Sequence, residues 1–179
     1  MRCFIAIDVS NFFVEALDEL SKIQGLKLVS PENLHITLKF LGEVEESKVE
    51  KIHESMRQAL EKFDSFSISF RGMGVFPSLR YIRVIWVGVE RNRERIIEMQ
   101  KALERELEKL NFKREKKFSP HLTLARVKFL REKQKILKLI SKFENVEFGE
   151  LRVEKVRLKK SRLTPQGPIY TTVREICLQ

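Results

Sequence analysis

Cysteine, histidine, glycine and tryptophan are all scarce in this 179-residue chain, and each shortage removes a class of chemistry. Only two cysteines occur, Cys3 and Cys177, one near each end. No Cys-x-x-Cys pair exists, which excludes the common zinc-ribbon and thioredoxin-like motifs. A disulfide between the two would need adjacent first and last strands, and would suit only a hyperthermophile. The three histidines, His35, His53 and His121, are dispersed, so too few ligands cluster for zinc. No metal and no cofactor are expected. The seven glycines form neither a P-loop pattern nor a paired-glycine dinucleotide fingerprint. Long apolar runs are missing too. Val84-Ile85-Trp86-Val87 is strand-sized and far short of a membrane span, so no membrane partner is expected. The start, Met1 to Asp8, reaches an acidic residue too early for a signal peptide and reads as a first strand. Cytoplasm is the default location.

Basic charge, by contrast, is plentiful. Lys and Arg number 35 against 25 Asp and Glu, a net +10, which points to a polyanionic partner such as RNA or DNA. Charged residues make up 34% of the chain with Lys and Glu interleaved, a pattern that fits a thermophile's surface. The length suits one substantial core, or two small lobes sharing one.

Periodicity predicts strands at 3–9, 34–41 and 66–71, with helices at 11–24 behind an N-cap Ser10 and at 46–63. The segment from Gly72 to Ser78 reads as a loop. The order then repeats: a strand at 81–89, a helix at 92–110, a strand at 120–127 and a helix at 131–143. One long strand at 146–160 and a final strand at 168–177 complete it. Both halves read strand, helix, strand, helix, strand. The expected fold is α+β: one domain over 1–179 with two pseudo-symmetric lobes, about 1–78 and 79–179. Mostly antiparallel sheets would flank a central cleft.

Two of the three histidines sit in matching short strands. Asn33-Leu34-His35-Ile36-Thr37-Leu38 and Ser119-Pro120-His121-Leu122-Thr123-Leu124 both read His-x-Thr-x, 86 positions apart (121 minus 35). With five threonines in the chain, a given His meets a Thr two positions on by chance roughly 3 per cent of the time. Residues i and i+2 share a strand face, so each segment offers an imidazole beside a hydroxyl with apolar residues behind. One neutral imidazole can take a proton from water while a second, charged, protonates a departing oxygen, and the hydroxyls hold phosphoryl oxygens. Lys39 has the parity of His35 and is a candidate phosphate contact. Arg126 is another, although ideal alternation turns it away from His121 unless the strand twists or ends there. Phe76 and Tyr170 are candidate base-stacking rings. His53, the Lys116-Lys117 pair and the Lys159 to Arg162 stretch read as ordinary surface.

These segments resemble the two-histidine phosphoesterase superfamily, and in particular its RNA 2′,3′-cyclic phosphodiesterase branch, also called 2′-5′ RNA ligase. Besides the paired motifs, the resemblance rests on Phe4-Ile5-Ala6, Lys39 to Gly42, Gly74 to Pro77, Arg83 to Gly88, Ala125-Arg126, and Ser161 with Leu163, Gly167 and Tyr170. It implies metal-independent opening of an RNA terminal 2′,3′-cyclic phosphate to a 2′-phosphate end, with possible reversal to a 2′-5′ linkage. It further implies His35 as proton donor, His121 as proton acceptor, and Thr37 and Thr123 as phosphate-binding residues. The residues alone leave donor and acceptor open, because the two motifs are nearly symmetric. The implied partner is RNA with a cyclic end, tRNA fragments among the candidates, and the implied state a monomer. Two other readings stand beside it: a non-catalytic RNA-binding module, and a two-histidine enzyme acting on a small cyclic nucleotide.

Overall fold

The first strand, β1 (Arg2–Asp8), alternates as its sequence demands. Cys3, Ile5 and Ile7 face the core, and Phe4, Ala6 and Asp8 face the other way. The computed structural model describes residues 1–179. Helix α1 (Val14–Ser21) starts later than the spacing predicts, because Asn11 Oδ1, rather than Ser10, accepts from the Phe13 amide at 3.0 Å. A short strand absent from the sequence reading, β2 (Leu26–Leu28), precedes β3 (His35–Glu43). Helix α2 (Val49–Leu60) buries Val49, Ile52, Met56 and Leu60.

Two corrections concern strand limits. The segment 72–78 is no loop: β4 runs unbroken over Phe66–Ser78. Gly72 (φ +79°) sits at a bulge where the pairing with β5 (Tyr81–Val89) slips by one residue. Gly74 lies flat under Trp86, whose indole would be 2.3 Å from any Cβ built there. The glycines mark a bulge and a close approach inside one strand. After α3 (Arg93–Glu108), β6 (His121–Val127) and α4 (Lys133–Lys142), the long strand expected at 146–160 is two strands in different sheets. These are β7 (Glu147–Val153) and β8 (Lys155–Thr164). Val153 and Val156 are both buried, at 1% and 0% exposure. Residues three apart cannot share a face of one straight strand. Strand β9 (Gly167–Cys177) closes the chain.

All pairings are antiparallel, in two sheets of order β3-β1-β8-β9 and β2-β6-β5-β4-β7. The expected α+β architecture of antiparallel sheets is therefore present. Without β2 the two orders are equivalent strand by strand: β3 with β6, β1 with β5, β8 with β4, β9 with β7. The sequence halves do not each build a sheet, however. They exchange their later strands, so β8 joins the first-half pair and β4 the second-half pair. The two sheets therefore do not coincide with the sequence halves 1–78 and 79–179. α2 and α3 pack together, as do α1 and α4, and one core of 41 residues runs through the molecule. β3 and β6 meet where the sheets adjoin, and Val29 just past β2 donates to Leu124 of β6 at 2.8 Å. Cys3 lies opposite Gly42 and Lys160, Cys177 opposite Lys155, and both thiols are free. β8 separates β1 from β9, so the terminal strands are not neighbours and no disulfide can join them.

Candidate active site

Each of the paired histidines is the first residue of its strand, and each is fixed the same way. His35 Nδ1 is 2.6 Å from the Asn33 carbonyl, and His121 Nδ1 is 2.7 Å from the Ser119 carbonyl. A carbonyl only accepts, so Nδ1 must carry the hydrogen in both rings. Nε2 is left free to take or give a proton. An aromatic edge restrains each ring further. Tyr170 meets His35 at 5.4 Å between centroids and 88°, and Phe76 meets His121 at 4.9 Å and 88°. Phe4 packs on both His35 and Tyr170. The two rings expected as base-stacking candidates thus pack against the histidines. Tyr170 reaches across because the first sheet curls: Pro168, in the far edge strand β9, accepts from Asn33 Nδ2 at 3.0 Å.

Thr37 and Thr123 follow their histidines two positions on, half-buried on the same side. Beyond them both strands bulge at the same place. Between Thr37 and Lys39 β3 advances two residues against one on β1, and between Thr123 and Ala125 β6 does the same against β5. The extra residue reverses the parity. Lys39 consequently turns inward. It is 2% exposed, 3.0 Å from Glu104 Oε1, and donates to the Lys113 carbonyl at 2.6 Å. The expectation that Lys39 contacts phosphate is overturned by that bulge. Arg126, past the matching bulge of β6, is exposed. Its charge acts to lower the pKa of His35, His121 and Tyr170, which belong to both sheets.

Asp8, Arg157 and Lys159 complete the His35 side, and the sequence reading missed all three. Asp8 lies opposite His35 in the sheet register, where His121 has only Gly88. The Asp8 carboxylate binds Lys159 Nζ at 2.6 Å and also the Arg157 guanidinium. Burial would raise that carboxyl, but the two cations together hold it below the usual range. Burial lowers the pKa of both histidines from the ordinary 6.5. Hydrogen bonding to the Asn33 and Ser119 carbonyls opposes this, and Arg126 adds to it. At His35, Lys159 lowers further and Asp8 raises. Both rings are therefore set to be neutral near pH 7, each with a basic Nε2, until an anion arrives. His53 lies on α2, its Nε2 3.3 Å from the Glu175 carbonyl, and takes no part. No three His, Cys, Asp or Glu side chains converge to hold a metal ion.

Comparison with known proteins agrees with this frame. Residues 9–164 match the model of the 2′-5′ RNA ligase superfamily. An RNA 2′,3′-cyclic phosphodiesterase of Methanothermobacter thermautotrophicus is 46% identical over 96% of this chain and 95% of its own. That of Methanocaldococcus jannaschii is 43% identical over 98% and 99%. Among solved structures, TT0787 of Thermus thermophilus superposes with a TM-score of 0.84 at 29% identity, covering 99% of this chain and 98% of its own. E. coli LigT in its apo form reaches 0.73 at 22% identity over 99% and 96%, a likeness of fold. The chain belongs to the 2′-5′ RNA ligase superfamily.

Proposed function

We propose that this protein opens RNA terminal 2′,3′-cyclic phosphates without a metal, by acid–base catalysis between His35 and His121. The observation that carries the reading is the matched pair of imidazoles. Each is pinned through Nδ1 with Nε2 free, and one cation, Arg126, acts on both. Relatives at 43–46% identity named RNA 2′,3′-cyclic phosphodiesterase support the substrate class. His121 Nε2 removes a proton from water as its oxygen attacks phosphorus. His35, charged, gives a proton to the departing 3′ oxygen, and the phosphate stays on the 2′ oxygen. Asp8, facing His35 alone, favours a charged ring there; Lys159 offsets it in the free protein, and the substrate's negative charge shifts the balance. Thr37, Thr123 and Arg126 hold the phosphoryl oxygens. Each proton transfer supplies on the order of 10²–10⁴ in rate. The same step run with a 5′-hydroxyl in place of water gives a 2′-5′ linkage. The protein would act as a cytoplasmic monomer on RNA ends, tRNA fragments among them.

An RNA ending in 2′,3′-cyclic phosphate, incubated with the protein in EDTA, should yield a 2′-phosphate. His35→Ala and His121→Ala should each lower turnover by at least ~100-fold while keeping the fold. Absence of turnover by the native protein would remove the proposal, and a 3′-phosphate product would reverse the identity of the leaving oxygen. Near-normal activity of either variant would end the two-histidine mechanism.

A further inference from the structure

Beside His121 lies a cavity of about 960 Å³ between α3 and the segment leading into β6. It shares His121, Phe76 and Ser119 with the site just described and none of the His35 side, so it extends away from His35. Five cations line it: Lys101 and Arg105 from α3, and Arg114, Lys116 and Lys117 from the segment. All five are exposed. Only Arg114 has an ion-pair partner, Glu108 at 3.9 Å. Of the two acidic residues in the lining, Glu104 is buried and bound to Lys39, which leaves Glu115 as the sole acid facing the opening. Water alone would need neither this volume nor this charge.

Reaction geometry says what belongs there. In an in-line displacement at phosphorus the attacking and leaving oxygens lie on opposite sides. The ribose that carries the 2′ and 3′ oxygens stays on the leaving side, with His35, and its strand continues from that side. The space beyond His121 belongs to the nucleophile. We propose that this basic cavity binds a second RNA strand and presents its 5′-hydroxyl to His121. The inference rests on the proposed cyclic-phosphate chemistry and on His121 as the base. The 5′ oxygen bonds to phosphorus, the bond from phosphorus to the 3′ oxygen breaks, the 5′-hydroxyl proton passes to His121, and His35 supplies the proton for the 3′ oxygen. No oxidant or further reactant is needed. The cations follow the phosphates of the incoming strand, as in other single-strand grooves.

The test uses two exposed double variants, Lys101→Gln with Arg105→Gln, and Lys116→Gln with Lys117→Gln. Three quantities are measured on each. They are hydrolysis of an oligoribonucleotide ending in 2′,3′-cyclic phosphate, joining of that strand to a short 5′-hydroxyl oligoribonucleotide, and fluorescence anisotropy of the labelled 5′-hydroxyl strand against salt. Joining and affinity for the 5′-hydroxyl strand should fall about tenfold, and the salt slope should flatten by ~0.7 per phosphate contact removed, ~1.4 for each pair. Hydrolysis should change by less than about twofold. Equal losses in hydrolysis and joining would overturn the proposal by placing the cyclic-ended strand in the cavity. Unchanged joining and affinity would overturn it by reducing the cations to solvated surface. If the native protein opens no cyclic phosphate, the proposed function fails by itself, and the anisotropy series still decides whether the cavity holds RNA.

Discussion

Replacing Lys39 by Met separates the reading of this residue by strand parity from its observed place. Its ammonium is sealed between β3 and α3, 3.0 Å from Glu104 Oε1, and both side chains are under 5% exposed (3% and 4%). At an effective dielectric of about 20 that distance corresponds to ~5–6 kcal/mol of attraction, much of it offset by the cost of removing both charges from water. Deleting one partner leaves the other's charge uncompensated, which costs about 3–5 kcal/mol. Glu104 would retain only Gln100 Nε2 at 2.9 Å and the Glu115 amide at 3.3 Å. For a chain of this size each kcal/mol is ~2–4 °C in Tm, so Lys39→Met should lower Tm by roughly 6–20 °C. Adding Glu104→Gln removes the stranded charge while keeping an acceptor for the Glu115 amide. The double variant should recover about 2 kcal/mol or more. Activity should fall as well, because Lys39 also ties down the Lys113 carbonyl in the segment that runs into His121. That loss should appear in kcat. Urea unfolding and steady-state kinetics on a nucleoside 2′,3′-cyclic phosphate decide it. A Lys39→Met protein of native stability with only a raised KM would refute burial and restore Lys39 as a phosphate contact.

Three further outcomes follow from the site. Arg126→Gln removes a charge that depresses both histidine pKa values, so the bell-shaped profile of kcat/KM should move to higher pH while KM rises; an unmoved profile would place Arg126 away from the rings. Because the folded histidines sit below the ordinary 6.5, the unfolded chain binds more protons just below that pH. Their contribution to stability is complete above about 6.5 and is lost as pH falls towards the folded values. Denaturant melts across that window should show a smaller pH dependence for a His35→Gln, His121→Gln double variant; an equal dependence in both proteins would contradict the lowered values. Gly74→Ala would drive a methyl into the Trp86 indole, 2.3 Å from the ideal Cβ position. It should cost about 1–3 kcal/mol and lower kcat, since Trp86 packs on Phe76 and Phe76 on His121; a neutral effect on both would show that this contact does not support the ring.

What the sequence displayed clearly was the local repeat. The His-x-Thr pairs mark two strands at equivalent places in two sheets, and the apolar stripe of α2 lies where its spacing put it. What it hid were departures from ideal alternation. Their traces are nonetheless present in the apolar spacing. Leu34, Ile36 and Leu38 step by two, but the next buried leucine is Leu41, three on. Leu122 and Leu124 step by two, and the next apolar residue beyond Ala125 is Val127, again three on from Leu124. A step of three in a strand means one extra residue, and everything after it changes face. The same slip between Val153 and Val156 marks the passage from one sheet to the other. The exchange of β4 and β8 between the halves leaves no such trace, since pairing partners distant in sequence are not encoded in a local period.

The bulge is also where the symmetry of the site ends. Counting from each histidine, the fifth residue along is turned outward: Phe40, 61% exposed, on one strand and Arg126 on the other. Opposite the histidines stand Asp8 on one side and Gly88 on the other. A symmetric pair of imidazoles would have no reason to hold opposite protonation states at one pH. Asymmetry must come from the neighbours, and here it is concentrated at two equivalent positions. The His35 side carries the Asp8, Arg157 and Lys159 network and an aromatic wall of Phe4, Phe40 and Tyr170. The His121 side carries Arg126 and the basic cavity. On the proposed mechanism, charge and volume suit the aromatic side to the end that departs and the basic side to the group that attacks.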